Sequence, residues 1–398
     1  MNKNWREFKL SQIANMAYGK MPPEGIKVDK GYPIFTGYRI AGYSSKYTHK
    51  DSMLIVVARG VGGTGDVKIS PIKSWITNLS IILDVNNNFA DKKFLCELLG
   101  LASLKNKLDT GSAQSQITIN SLQPFKINLP PLPTQQKIAR ILSAYDELIE
   151  NNLQRIKLLE EMAQITYEQW FVRMKFPGHE TTQIDAETGL PEGWSKKTCF
   201  EVMDVLSGGT PKTTMEEYWN GEIKFFTPKD ASNGVYTEET EKTITQLGLD
   251  KCNSKLYPKD TVFITARGTV GKLNLASEPM VVNQSCYALR AKEGLTQYFL
   301  YCSLSKTIDA FKGAATGGVF DTIVVDTFKY LPFVKPAPPI IDEFNLIVTP
   351  LFLSIQNLLG QNQLLKEARD ILLPRLMTGM IDVDTIQLPE ANKDMEAA

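Results

Sequence analysis

The sequence predicts an α+β protein in which two similar, strand-rich mixed α/β domains alternate with two long helices. These helices are expected to pair as an antiparallel coiled coil about a pseudo-twofold axis. Three observations support this: a set of motifs occurs twice in the same order, short β-branched runs fill each copy, and a helical periodicity follows each copy. A chain of 398 residues has room for two or three domains of ordinary size.

The first observation is an internal repeat. Its members share their order along the chain and are offset by about 206 residues in the later motifs. They are Trp5 with Gly19–Lys20 and Trp194 with Gly208–Gly209; Arg59–Gly60 and Arg267–Gly268; WITNLS and MVVNQS, which pair Asn78 with Asn283; TGSAQSQITI and TGGVFDTIVV, which pair Ile117 with Ile323; NLPPLP and KPAPPI. We interpret the repeat as two copies of one domain.

Each copy contains strand-like segments and one helical stretch. The strand-like segments are rich in β-branched residues and are separated by Gly, Pro and Asn turns, as in MLIVVAR and SIILDV, or TVFITAR and SCYALR. The helical stretches are KKFLCELLGLASLKNKL and LTQYFLYCSLSKTIDAFK. We therefore expect a first domain over residues 1–133 and a second domain, with its connector, over residues 177–339.

A long helix is predicted after each copy, over residues 134–176 and 340–381. Apolar residues step by three and four in both segments, which is typical of helices that bury a seam against a partner helix. Asn152 and Asn362 lie in these seams, where a polar residue sets the register. A break or kink is expected at Pro350. Alternatively, the two helices could pack in a bundle with helices of another protein. Residues 382–398 are predicted to be an acidic flexible tail.

The net charge of zero hides an asymmetry. Residues 1–133 carry 17 Lys and Arg against 9 Asp and Glu, whereas residues 340–398 carry 4 against 9. A basic first domain permits a polyanionic partner such as nucleic acid. With 43% hydrophobic and 22% charged residues, the composition excludes wholesale disorder.

Membrane, secreted and metal-binding classes are not indicated. The most apolar run, FNLIVTPLFLSIQNLLG, is broken by Asn345, Pro350 and Asn357, and the N-terminus lacks the apolar core of a signal peptide. The five cysteines are scattered and there are two histidines, so buried thiols are expected and no metal site. The expected location is the cytoplasm.

No catalytic motif stands out. GVGGTG at 60–65 is followed by DVKISP, which predicts extended chain and not the helix that a dinucleotide site requires. Asp204, Glu222 and Lys224 could form a nuclease-like set, but the first copy has no counterpart at aligned positions. We expect no catalytic residues in this chain.

The order of several motifs resembles the specificity subunit of Type I restriction-modification systems over nearly the whole chain. These motifs are SGGTPK at 207–212, FFTPKD at 225–230, ITARGTVG at 264–271, VVNQSCYAL at 281–289, LPPLPTQQKIA at 129–139 and LLPRLMTGMIDV at 372–383. The junction YEQWFVRMKFPG followed by GLPEGW is also similar. The first domain matches more loosely, with YGKMPP and IFTGY in the corresponding places.

The resemblance implies a DNA-reading subunit without an active site. Each globular domain would be a target-recognition domain for one half of a bipartite, asymmetric site in double-stranded DNA, and the helices would space the halves. The helices would also dock two modification subunits. The cofactors, S-adenosylmethionine and ATP with magnesium, would belong to the modification and restriction subunits, and this chain would bind none.

Base and phosphate contacts need Arg, Lys, Asn or Gln on loops that can approach a groove. We therefore select candidates from the glycine-containing turns of both copies, namely Lys20, Arg39, Arg59, Gln114, Gln116, Thr210, Lys212, Lys229, Arg267 and Lys272. Arg59 and Arg267 could instead be structural arginines paired with a carboxylate, and the lysines could be ordinary surface residues. The rival functions are a coiled-coil scaffold that binds only proteins, and a methyltransferase–nuclease fusion, against which the missing motifs argue.

Overall fold

The computed structural model describes residues 4–60, 63–109, 115–314 and 322–387. It divides into two compact units, the first formed by residues 1–149 with 363–398 and the second by residues 150–362. Each unit contains one copy of the repeated domain and one part of each long helix. The two units are described separately below.

The first globular domain contains ten strands and four short helices among the residues that the structure describes. Its strands are β1 (Arg6–Lys9), β2 (Ala14–Tyr18), β3 (Lys27–Val28), β4 (Tyr32–Phe35), β5 (Ile40–Ser44), β6 (Leu54–Val57), β7 (Val67–Ile69), β8 (Trp75–Ile76), β9 (Ser80–Val85) and β10 (Lys126–Leu129). Its helices are α1 (Leu10–Ile13), α2 (Lys92–Leu101), α3 (Leu104–Leu108) and α4 (Ile119–Leu122). The long helix α5 (Leu132–Tyr167) follows, and a π-helical turn (Glu168–Val172) extends it.

The second globular domain repeats this order. Its strands are β11 (Ser195–Thr198), β12 (Met203–Ser207), β13 (Trp219–Phe226), β14 (Tyr236–Thr237), β15 (Lys242–Ile244), β16 (Val262–Thr265), β17 (Leu273–Ala276), β18 (Val281–Val282), β19 (Cys286–Ala291) and β20 (Pro332–Lys335). Its helices are α6 (Cys199–Val202), α7 (Gln246–Asp250), α8 (Gln297–Ala314) and α9 (Thr327–Tyr330), with a 3-10 turn at Glu216–Tyr218. The long helix α10 (Pro338–Met377) closes the series.

The two domains share a common sheet topology, to which the first domain adds β3 and the second adds β14. The first has the strand orders β2-β9-β6-β7, β3-β5-β4-β8 and β1-β10, and the second has β12-β19-β16-β17-β14, β15-β13-β18 and β11-β20. The sheet β3-β5-β4-β8 and its counterpart β15-β13-β18 each contain one parallel pair, β4 with β8 and β13 with β18. The predicted duplication of one mixed α/β domain is therefore confirmed.

Strand pairing corrects one detail of the sequence alignment. Phe35 pairs with Ile76 in the first domain, and Phe226 pairs with Val282 in the second. Counting on from these pairs, Asn78 is equivalent to Gln284 and not to Asn283, as the repeat of WITNLS and MVVNQS had suggested. The sequence alignment was shifted by one residue because it matched identical letters, whereas the backbone ladder sets the true register.

Each domain is built around its own apolar core. In the first unit, strand residues such as Leu54 and Ile81 pack with Phe94 and Leu95 of α2, and residues from both long helices join them, among them Leu142 and Leu376. In the second unit, the core joins sheet and α8 residues to α5 residues such as Ala163 and to α10 residues such as Phe344 and Ile355. Burial of these helix faces attaches each domain to the helices.

Helix α10 runs without interruption through Pro350, so the expected break is not observed. Proline removes one backbone bond, to the carbonyl of Leu346. Leu346 is 77% exposed, while Val348 and Phe352 on either side of Pro350 are buried in the core of the second unit. Burial of the flanking turns outweighs the loss of one hydrogen bond.

Two polar contacts join the long helices. In the second unit, Asn152 Nδ2 donates to Asn362 Oδ1 at 2.9 Å, and both residues are buried. In the first unit, Arg369 of α10 forms ion pairs with Asp146 of α5 and Glu97 of α2, at 2.7 and 2.8 Å. Both register residues selected from the sequence are thus bonded to each other.

The segment after α10 departs from the expectation of a flexible tail beginning at Asp382. Val383 is 2% exposed in the core of the first unit, and Thr134 Oγ1 donates to Asp384 Oδ1 at 3.0 Å. Lys137 Nζ also donates to Asp384 O at 3.3 Å, so two bonds join this segment to the start of α5. Residues 388–398 lie outside the described residues.

By length and composition alone, α10 could cross a membrane, with an 18-residue window of mean hydropathy 1.2. The contiguous apolar runs in the sequence had not indicated this, because the polar residues within the helix interrupt them. Phe344, Phe352 and Ile355 of α10 are buried in the core of the second unit. Of the apolar window itself, 28% is buried inside the structure.

Candidate nucleic-acid interface

In the first domain, the loops that carry the candidate residues are bonded to one turn, residues 76–80, which we call the first central turn. Lys20 N donates to Ile76 O at 2.9 Å, Thr77 N to Phe35 O at 3.0 Å, and Ala58 N to Leu79 O at 2.8 Å. The loops after β2, β4 and β6 therefore converge on the turn between β8 and β9. Three separate stretches of sequence are brought together here.

Lys20 is placed by a close backbone approach. A Cβ atom on Gly19 would lie 2.2 Å from Thr77 O, so only glycine fits at this position. Trp75 Nε1 donates to Lys20 O at 2.7 Å. The Lys20 side chain is exposed. Burial lowers the pKa of His49, Asp84 opposes this shift, and the positive charge of Lys20 adds to it.

Arg39 extends from a tight turn beside the same central turn. Thr36 donates to Arg39 O through both its amide and its hydroxyl, each at 3.0 Å. Ser80 Oγ donates in turn to Thr36 O at 3.2 Å. The exposed guanidinium of Arg39 lies 5.9 Å from the ring centroid of Tyr38, a cation–π distance that favours one orientation of the side chain.

Arg59 and Gln116 lie opposite each other. They form an isolated antiparallel bridge, and Ile117 N donates to Ala58 O at 2.8 Å. Arg59 is exposed and Gln116 is half-buried, and Gln116 N donates to Asp109 Oδ1 at 3.2 Å. Gln114 lies outside the described residues. The GVGGTG segment, of which residues 61–62 are also outside them, leads into strand β7 and not into a helix, as the sequence predicted.

The second domain repeats the arrangement around residues 282–286, the second central turn. Gly209 N donates to Val282 O at 3.2 Å, Asn283 N to Phe226 O at 3.0 Å, and Ala266 N to Ser285 O at 2.8 Å. A Cβ atom on Gly208 would lie 2.2 Å from Asn283 O, the same close approach as at Gly19. The loops of Thr210, Lys229 and Arg267 thus also converge on one turn.

The candidates of the second domain differ in how far they are engaged by the protein. The Thr210 hydroxyl donates to Gln284 Oε1, and the exposed Lys229 pairs with exposed Glu241 at 3.5 Å. Lys212 and Arg267 are exposed. Lys272 is half-buried, and its Nζ donates to Asn233 Oδ1 at 3.1 Å and to Ala231 O at 3.3 Å. Lys272 therefore ties down the 231–233 loop, whereas the other four lie at the surface.

The arrangement suits an anionic, extended partner. In the ion pairs among the described residues, no carboxylate partner occurs for Lys20, Arg39, Arg59 or Arg267. The alternative that Arg59 and Arg267 serve a carboxylate thus finds no support in those ranges. Exposed cations on rigid loops can contact phosphates, and amide side chains can contact base edges.

Nothing in the described part of the chain gathers three or more His, Cys, Asp or Glu into a metal-binding group. The nuclease-like set is distributed over two sheets, since β12 carries Asp204 and β13 carries Lys224. Each of these two residues has another partner: Asp204 pairs with Lys292 at 3.9 Å, and Lys224 pairs with Glu278 at 2.8 Å. Sequence reasoning missed the central turns. Their signal was the repeat of WITNLS and MVVNQS, but anchoring of the loops depends on strand pairing.

The chain is similar in sequence to known DNA specificity proteins. The profile of the Type I restriction modification DNA specificity domain matches the chain twice, at residues 2–161 and 191–346. The specificity subunit of the HindI Type I restriction enzyme of Haemophilus influenzae is 26% identical over 326 residues, which are 67% of this chain and 71% of that protein. The MjaIX specificity subunit of Methanocaldococcus jannaschii is 27% identical over 284 residues, 69% of this chain and 65% of that one.

A solved structure supports the fold. The crystal structure of the S subunit of a Type I restriction-modification system from M. genitalium matches with a TM-score of 0.63 at 19% identity, covering 94% of this chain and 96% of that one. At this identity the likeness concerns the fold alone. The two profile matches, which together cover most of the chain, show that the chain belongs to the family of Type I restriction-modification DNA specificity subunits.

Proposed function

We propose that this chain is the non-catalytic subunit that reads the DNA sequence for a Type I restriction-modification complex, with one half of a bipartite, asymmetric site read by each domain. The observation that carries the proposal is the duplicated central turn. In each domain it gathers three loops bearing exposed Lys, Arg or Thr residues around one anchored segment. Family membership supports the same role and does not favour a scaffold without DNA specificity.

The proposal includes an antiparallel coiled coil of α5 and α10. Within the second unit, Asn152 bonds to Asn362, and the ring of Tyr167 lies 6.0 Å from that of Phe344. Residue numbers therefore rise along α5 while they fall along α10. Apolar side chains between these contacts, among them Ile156 and Ile355, share one core cluster. A paired stalk of this kind would set the distance between the two half-sites.

Partners supply the chemistry in this proposal. Double-stranded DNA, two modification subunits and the restriction subunits would bind, and S-adenosylmethionine and ATP with magnesium would belong to those subunits and not to this chain. Exposed apolar residues on the long helices support a protein partner there, for example Leu158, Ile165 and Leu364, each more than half exposed. The chain would act in the cytoplasm, where its DNA is.

Methylome sequencing tests the function. The chain would be co-expressed with its modification subunit, and DNA from these cells compared with DNA from cells that express the modification subunit alone. The expected result is methylation at one split sequence with a constant gap, present only with this chain. Unchanged methylation in the two strains, with both subunits expressed and associated, would reject the reading function and favour a scaffold.

A further inference from the structure

The tip of the second central turn carries two amide residues with different tasks. Asn283 turns back on its own backbone, since its Oδ1 accepts from Ser285 N at 3.0 Å. Such a bond is typical of a structural Asn in a turn. Gln284 is exposed instead, and its only polar contact given by the described residues is the bond that its Oε1 accepts from the Thr210 hydroxyl.

Gln284 stands at the centre of the loops that form the candidate interface. Its neighbours Asn283 and Ser285 are bonded through their backbones to Phe226 and Ala266, in the loops that lead to Lys229 and Arg267. Gly208 leaves no room for a Cβ atom, so the backbone that leads to Thr210 lies directly against the same turn. The backbone on both sides of Gln284 is therefore bonded to segments at the ends of β12, β13 and β16. Its side chain is bonded to Thr210.

The two domains differ at this position in a way that suits a specificity determinant. The equivalent residue in the first domain is Asn78, which is shorter by one methylene and half-buried. The residue equivalent to Thr210 by the offset of the glycine turns is Met21, which is 65% exposed and carries no hydroxyl. The scaffold is shared, while the length of the amide side chain and its support differ, as expected of domains that read different sequences.

We propose that Gln284 is a specificity-determining residue of the second domain, which reads an adenine in the major groove and is held in its reading orientation by Thr210. The inference rests on the proposed function. The glutamine amide can donate through Nε2 to adenine N7 and accept at Oε1 from the N6 amino group. An amide oxygen has two lone pairs, so the bond from Thr210 occupies one and leaves the other for the base.

The test measures base preference. The complex of this chain with its modification subunit would select from a duplex library in which the second half-site is randomised. Gln284→Leu is expected to lower the preference for adenine at one base pair by roughly 5- to 150-fold and to leave the first half-site unchanged. Gln284→Glu should shift that position towards cytosine, because a carboxylate accepts from the cytosine amino group.

Matched variants separate this inference from its foundation. Thr210→Val should weaken the preference at the same base pair, whereas Thr210→Ser, which keeps the hydroxyl, should retain it. Gln246 is an exposed glutamine of α7 that is bonded to Asp250, and Gln246→Leu should leave the preference unchanged. If the wild-type complex selects no sequence, the proposed function fails. If the wild type selects a split site and the Gln284 variants keep its full preference, or lose binding equally for all sequences while folded, this inference fails.

Discussion

Lys20 and Arg59 show how a loop can present charge without being flexible. The backbone next to each is bonded to the first central turn, while both side chains are exposed. Both residues belong to the basic region 1–133, which has more Lys and Arg than Asp and Glu. The strength of such a phosphate contact does not depend on the base sequence, but it falls strongly with rising salt concentration.

Replacing Lys20 and Arg59 by alanine should therefore weaken DNA binding about equally for all sequences. Each lost phosphate contact should flatten the dependence of log affinity on log salt by about one unit. The measurement is fluorescence anisotropy of the complex with labelled duplex across a salt series. Lys126→Ala is the control, because this exposed lysine is paired with Glu7 at 2.8 Å on the β1–β10 pair. A slope unaltered in the double variant would contradict the assignment.

Three of the five cysteines, Cys199, Cys286 and Cys302, are buried, and Cys96 is half-buried. Burial raises the pKa of the Cys199 thiol to about 12. Burial, followed by the nearby charge of Glu97, likewise raises the pKa of Cys96 to about 12. In the unfolded chain a thiol ionises near its ordinary pKa of about 8.5. The stability from a neutral buried thiol is therefore complete below that pH and is lost as the pH rises towards 12.

We expect the free energy of unfolding to fall with rising pH above about 8.5, and to fall less steeply in Cys199→Ala. Urea unfolding between pH 7 and 11, followed by circular dichroism, measures both slopes. Below the pKa of the unfolded thiol the two proteins should show parallel pH dependence, which serves as the internal control. Equal slopes over the alkaline range would contradict a protonated Cys199 thiol in the folded protein.

At the level of secondary structure, the proposed coiled coil would combine an apolar seam with one buried amide pair. Asn152 and Asn362 are 6% and 3% exposed, and their bond spans 2.9 Å. A buried amide costs free energy unless it is bonded, so the pair selects the register in which both amides meet. An apolar seam alone would tolerate neighbouring registers.

Asn152→Leu alone should lower the free energy of unfolding by about 1–3 kcal/mol, because Asn362 then loses its cross-helix bond. The double variant Asn152→Leu with Asn362→Leu should recover most of this loss, since two leucines pack in an apolar seam. A double-mutant cycle in urea measures the coupling. Additive losses would show that the two amides do not stabilise each other.

For the whole molecule, the proposed stalk predicts a geometric effect on DNA choice. Duplicating residues 145–151 in α5 and residues 363–369 in α10, which lie on the same side of the Asn152–Asn362 pair, adds one heptad to each helix, about 10 Å of length. The preferred gap between half-sites should then grow by about three base pairs, at roughly 3.4 Å each. Methylome sequencing of cells that express the variant gives the gap directly.

Insertion into α5 alone is the matched control. It leaves the seams of unequal length and the amide pair out of step, so binding should be lost or strongly weakened. A variant with both insertions that still recognises the original gap would contradict the stalk as a spacer. Each half-site should keep its own sequence preference, because neither globular domain has been changed.

The sequence by itself determined the duplicated mixed α/β domain, the two long helices and the family, because repeated motifs and helical periodicity are properties of neighbouring residues. It also identified Asn152 and Asn362 from their place in the seam. Only the tertiary structure decided that Asn78 corresponds to Gln284, that Lys272 holds a loop, and that the segment around Val383 is packed. These facts depend on strand pairing and burial between residues far apart in the chain. Local sequence patterns carry no information about such long-range contacts.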